Sequence, residues 1–118
     1  MDGRNCEIGD DVDLALDVLL TTRGGLKIGD RSLIGYRTQI LTANHEIPGK
    51  ESRIADSGHK YSSVCIGEDC WVGANSVILP GVSIGKGSVI GAGSVVTKDI
   101  EEYSVAVGCP ARVVKRRG

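Results

Sequence analysis

The chain has 118 residues, with 17 glycines, 32 isoleucines, valines and leucines, one tryptophan, three tyrosines and no phenylalanine. Hydrophobic residues at 41% exclude a disordered chain, and the glycines lack the Gly-X-Y period of collagen. Fourteen basic and fifteen acidic side chains leave a formal charge of −1, so no global field favours nucleic acid, and no apolar run is long enough for a membrane span.

With so few aromatics the interior must be built from slender aliphatic side chains, so a narrow core is expected. Met1-Asp2-Gly3 opens without the basic and apolar stretches of a signal peptide. The cysteines at 6, 65, 70 and 109 form no C-x-x-C pair and offer no zinc spacing. They read as small reduced thiols, and the expectation is a cytoplasmic protein without a metal.

From the N-terminus, aliphatic residues recur every six positions at Ile8, Leu14 and Leu20. A two-residue slip at Gly24–Gly25 follows, and the register resumes at Ile28, Ile34 and Ile40. It breaks through a polar segment containing Pro48, Gly49 and Gly58, then returns at 66, 72, 78, 84, 90 and 96. A second period of eighteen overlies the first. The residue after the aliphatic is Gly9, Gly29, Gly67 and Gly85 on the first hexad, and Ala15, Gly35, Gly73 and Gly91 on the second. On the third it is Thr21, Leu41, Leu79 and Thr97, never glycine. Three hexads therefore make one lap of a triangular prism, and the glycines are expected to supply corner conformations costly to other residues. Cys70, Ser76, Ser88 and Ser94, two places before an aliphatic, are expected to pack inside. The laps fall at roughly 8–27, 28–45, 66–83 and 84–99.

The expected protruding loop, about 46–65, leaves a rigid scaffold, where function tends to sit. His45 stands at its start and His59 well out in it. A histidine suits general acid–base chemistry near neutrality, although an isolated loop histidine is usually just solvated. After the last lap a short tail, 100–118, gathers Arg112, Lys115, Arg116 and Arg117.

The repeated [Ile/Leu/Val]-Gly-x-x-x-x pattern resembles that of the hexapeptide-repeat acyltransferases, which implies an all-β, left-handed parallel β-helix of about four triangular coils forming one domain over 1–118. Thr42-Ala43-Asn44-His45, the string VILPGVSIGKGSVIGAGSVVTKDI and the closing VGCPAR resemble the maltose, galactoside and nodulation-factor O-acetyltransferases. That likeness covers roughly 26–117 and implies acetyl-CoA as co-substrate, a sugar or glycan hydroxyl as acceptor, His45 as base, and a homotrimer with sites between subunits. By position it implies that donor groups run past Ala74, Ala92, Thr97 and Lys98 to Arg112 and Lys115. Trp71 resembles a tryptophan lining the family's active site, with an interface aromatic as the other reading. No family role falls on His59.

The chain departs from that family on the acceptor side. The sequence starts almost at once on the prism, so the family's N-terminal acidic contact is expected to be absent or supplied differently, and the position of an acceptor-pocket asparagine falls on Ala15, leaving Asp17 as the candidate substitute. A non-catalytic or remnant prism that binds CoA or acts as a scaffold is the competing reading. An antibiotic acetyltransferase stands behind it. A γ-type carbonic anhydrase needs three histidines per chain where this one has two.

Overall fold

A computed structural model describes residues 5–118. Among them there is no α-helix. The first lap carries β1 (Cys6–Ile8), β2 (Asp13–Leu14) and β3 (Leu19–Leu20), and the second β4 (Leu26–Ile28), β5 (Leu33–Ile34) and β6 (Gln39–Ile40). An excursion holds β7 (Ala43–His45), a 3₁₀ turn (Ile54–Asp56) and β8 (His59–Tyr61). The third lap carries β9 (Val64–Ile66), β10 (Trp71–Val72) and β11 (Val77–Ile78), and the fourth β12 (Ser83–Ile84), β13 (Val89–Ile90) and β14 (Val95–Val96). A final pair, β15 (Ser104–Gly108) and β16 (Ala111–Arg116), closes the chain.

The laps stack in parallel into three faces. The first face is β1-β4-β9-β12, the second β2-β5-β10-β13-β15-β16, and the third β3-β6-β11-β14. Register aligns each hexad aliphatic with its equivalents, so Leu20, Ile40, Ile78 and Val96 form one inward column. Ile28, Ile34, Ile40, Ile66, Val72, Ile78, Ile84, Ile90 and Val96 are all buried. The first lap differs: Ile8 and Leu14 remain 43% and 38% exposed, because no described lap lies beneath them.

The small residues two places before each aliphatic are buried as expected, and their chemistry explains the choice. Each corner turns a carbonyl inward that the strand ladders do not reach. Ser32, Thr38 and Ser94 donate to the carbonyls of Gly67, Gly73 and Gly91 at 2.8, 2.9 and 2.7 Å. Ser76 donates to Gly73 and Gly91 at 2.9 and 3.2 Å. A serine here is small enough for the corner and satisfies a buried acceptor. Cys70 takes the same place with a weaker donor, 3.3 Å from the Gly85 carbonyl. Burial pushes the Cys70 thiol pKa up, so the inert protonated form dominates at neutral pH. Alkylation of the native protein at pH 8 is therefore expected to modify the exposed Cys65 and Cys109 while sparing Cys70. Peptide mass spectrometry that finds Cys70 labelled as fast as Cys109 would contradict this.

The corner glycines are there for a different reason from the one expected. The left-handed conformation falls two residues after the glycine position, on Asp11, Asp17, Arg31, Arg37, Asp69 and Asn75, with φ between 56° and 60°. Glycine itself answers to crowding between laps. A Cβ on Gly73 would lie 2.5 Å from the backbone nitrogen of Ala92, and one on Gly35 2.6 Å from that of Ala74. Laps in hydrogen-bond contact leave no room for a side chain at that point.

Two boundaries also change. The C-terminal segment is not a loose tail. β15 continues the second face in parallel with β13, and β16 folds back antiparallel on it. Ile100 bridges to Ile84 and, with Ala106, is buried, so the hexad register runs on past Val96 after a two-residue deletion. The protruding loop starts earlier than expected, at Thr42, and ends earlier, at Val64.

Candidate active site

The excursion is a hairpin rooted in the prism. Thr42 Oγ1 donates to the Thr21 carbonyl at 2.8 Å, and Thr42 N donates to Thr21 Oγ1 at 2.8 Å. On the return limb, Ser62 N donates to the Thr42 carbonyl at 2.9 Å. Gly24 runs directly beneath this root: a Cβ there would meet the Thr42 oxygen at 2.3 Å. The two-residue slip at Gly24–Gly25 thus lets the first lap pass under the departing hairpin.

Both ends of the excursion start from one corner, so its limbs must run antiparallel. β7 pairs with β8 with Ala43 opposite Tyr61, Asn44 opposite Lys60 and His45 opposite His59. Glu46 N donates to the Gly58 carbonyl at 2.9 Å, which makes the neighbouring His45–His59 pair a non-hydrogen-bonded one, with its side chains close. The two imidazole centroids lie 4.9 Å apart, tilted by 57°. His59 in turn faces Tyr61, with centroids 6.3 Å apart, and the Arg23 guanidinium lies 5.4 Å from the Tyr61 ring.

His45 is half-buried, and its Nδ1 sits 2.9 Å from the Glu46 main-chain carbonyl. A carbonyl only accepts, so Nδ1 carries the proton and the lone pair lies on Nε2. The orienting group is therefore the backbone of Glu46, not its carboxylate. Asn44, His45, Glu46, Ile47 and Lys60 line an open cavity of about 540 Å³. His59 and Lys60 were not singled out from the sequence as site residues. The signal was available in the geometry of a loop whose ends share one corner.

The other candidate positions lie elsewhere on the prism. Ala74 and Ala92 stack on the corner between the second and third faces, immediately after Gly73 and Gly91. Thr97 and Lys98 occupy the corner between the third and first faces, two laps beyond the hairpin root. Arg112 stands opposite Val107, and Lys115 opposite Val105, on the terminal strand of the second face. Among the described residues neither has a carboxylate partner, whereas Arg116 pairs with Glu101 and Arg117 with Asp69. Arg117 also donates to the Gly87 carbonyl at 2.8 Å, so the end of the basic cluster is tied to its own corner. Asp17 sits on the same corner column as Ala74, 3.8 Å from Arg37, and not beside His45. Trp71 is 55% exposed on the second face, between Leu33 and Val89. Within one chain His45 and the small-residue corner therefore stand on different edges.

A family model described as the hexapeptide repeat of succinyl-transferase matches residues 63–98. The galactoside O-acetyltransferase of Lactococcus lactis is 40% identical over 116 residues, covering 98% of this chain and 54% of that protein. The crystal structure of a maltose O-acetyltransferase from Clostridium difficile 630 superposes with a TM-score of 0.90 at 40% identity, over 98% of this chain and 61% of that one. Over nearly its whole length the chain is similar to hexapeptide-repeat acetyltransferases. A second family structure, a hexapeptide-repeat acetyltransferase from Vibrio cholerae O1 biovar eltor solved with acetyl coenzyme A, superposes with a TM-score of 0.89 at 35% identity, over 97% of this chain and 61% of that one. The fold of this chain is accordingly the left-handed β-helix of the family. The chain spans about half the length of the curated relatives it matches.

Proposed function

We propose that the protein is an acetyl-CoA-dependent O-acetyltransferase acting on a sugar or glycan hydroxyl, with His45 as general base. The observation that carries this reading is the Nδ1 contact of His45 with the Glu46 carbonyl, which leaves Nε2 as the basic atom beside an open cavity. Nε2 takes the acceptor hydroxyl proton as that oxygen attacks the thioester carbonyl. The tetrahedral intermediate collapses with loss of the CoA thiolate, which the imidazolium reprotonates. No covalent enzyme intermediate is required, and the one deeply buried thiol, Cys70, is held in its unreactive form.

For the donor, small residues at Ala74 and Ala92 let an extended pantetheine arm lie against the backbone. Thr97 and Lys98 would meet the far end of CoA. Arg112 and Lys115 would pair with its phosphates, chemistry suited to both cations. Asp17 and Trp71 are the candidate acceptor contacts. The relatives named for galactoside and maltose O-acetylation make a sugar the first acceptor class to test.

The active form in this reading is a homotrimer. The outward residues of the first face are polar, Glu7, Lys27, Cys65 and Ser83. The other two are mainly apolar: Leu33, Trp71, Val89 and Val105 follow Asp13 on the second, and Leu19, Val77 and Val95 flank Gln39 on the third. Two faces to cover and one to leave in water suit a closed three-fold ring. In this reading the hairpin of one chain serves another chain's Ala74–Ala92 corner, since within one chain the two stand on different edges. Free cysteines and a CoA thioester donor favour the reducing cytoplasm.

The test is release of free CoA thiol from acetyl-CoA in the presence of a panel of monosaccharides and galactosides, with the acetylated product identified by mass spectrometry. Release that depends on the sugar is expected. Binding of acetyl-CoA without turnover on any acceptor would favour the remnant reading instead.

A further inference from the structure

The His45–His59 pair offers something the acetyl-transfer chemistry does not use. We propose that the two imidazoles form a chelating site for a divalent transition metal of the Zn²⁺ and Ni²⁺ class, and that its occupation shuts the enzyme off. The inhibitory half rests on the reading of His45 as base; the binding half does not.

Three observations carry it. First, the residues face each other as a non-hydrogen-bonded cross-strand pair, the register that brings opposing side chains closest. Second, their centroids are 4.9 Å apart. Two imidazoles holding one ion through nitrogens about 2.0–2.1 Å from it, near the tetrahedral angle, place their centroids about 5 Å apart. The rings are tilted by 57°, so their nitrogen edges are not held parallel as in a stack. Third, the Nδ1 of His45 is already engaged by a main-chain carbonyl at 2.9 Å. That is the outer contact which fixes ring orientation and tautomer in metal-bound histidines.

Ligand softness selects the ion: imidazole suits Zn²⁺ and Ni²⁺, whereas Mg²⁺ and Ca²⁺ require oxygen donors. Among the described residues no group of three or more His, Cys, Asp and Glu side chains is placed to hold an ion. Water therefore completes the coordination, and the site is a reversible one, not a structural centre. The Nε2 lone pair of His45 cannot hold a metal and accept a hydroxyl proton at once. Metal binding and acetyl transfer are therefore mutually exclusive.

The test uses the tag-free 118-residue chain stripped with EDTA. Ni²⁺ is titrated calorimetrically into wild type, His45→Gln and His59→Gln, with Mg²⁺ as control and circular dichroism to confirm the fold. One Ni²⁺ per chain is expected in wild type, weakened about tenfold or more in either variant, with no Mg²⁺ binding. In turnover assays Zn²⁺ inhibits wild type reversibly by EDTA. His59→Gln, scored against its own uninhibited rate, needs about tenfold more Zn²⁺ for the same inhibition. If the His59→Gln fold is disturbed, His59→Phe replaces it. Equal Ni²⁺ affinity in all three proteins, or none in wild type, overturns the proposal. Normal Ni²⁺ binding in a protein with no sugar-dependent turnover would instead strike the catalytic reading and leave the metal site standing.

Discussion

Replacing His45 by alanine is expected to lower sugar-dependent release of CoA by about 10²–10⁴-fold, the usual contribution of a positioned general base. The loss should fall on kcat, with KM for acetyl-CoA little changed, because a general base acts on the acceptor proton in the transition state and holds no part of the donor. The fold should survive, since the His45 side chain is half-buried on a hairpin and the root of that hairpin is held by Thr42. Full turnover in His45→Ala, measured by thiol release at saturating acetyl-CoA, would remove His45 from the mechanism. A matching fall in acetyl-CoA affinity would assign it to donor binding.

The largest stability effect is expected at Ile78. This side chain is fully buried, between Ile40 of the lap below and Val96 of the lap above. Truncation to alanine removes apolar contacts from a column that rigid hydrogen-bonded laps cannot close up, so the cavity persists. A cost of about 2–5 kcal/mol follows from the behaviour of such substitutions. Leu14, on the partly open first lap and 38% exposed, should respond much less to the same change. Denaturant unfolding of the two variants checks the contrast, and equal losses would show that the column is not the packed core described here.

The repeat was legible because one physical demand, a slender side chain facing a narrow interior, returns every six residues. That pattern placed the faces, the inward columns and the buried serines. The corner glycines were found but misread. Periodicity reports that a side chain is excluded, not whether conformation or a neighbouring lap excludes it, and only the 2.5 Å approach of Ala92 N to a Cβ on Gly73 decides it. The terminal strands escaped notice because the register shifts by two residues before Ile100, although the six-residue step from Ile100 to Ala106 was present in the sequence. Within the site, His45 was legible through its position and motif. His59 was not, because its relation to His45 comes from pairing across a hairpin of polar, non-periodic sequence. The separation of His45 from the Ala74–Ala92 corner was hidden too, since it depends on which corner each hexad closes.

That separation makes a site shared between chains the central claim. It is tested most directly by co-expressing His45→Ala and Ala92→Trp chains with different tags and purifying the mixed oligomers. Each parent alone should be inactive, one lacking the base and the other with its donor groove filled. In a three-fold ring with both chains present, one junction joins an intact His45 to an intact Ala92, so activity should return to about one third of wild type per trimer. Mixed trimers as inactive as their parents would contradict a site built from two chains.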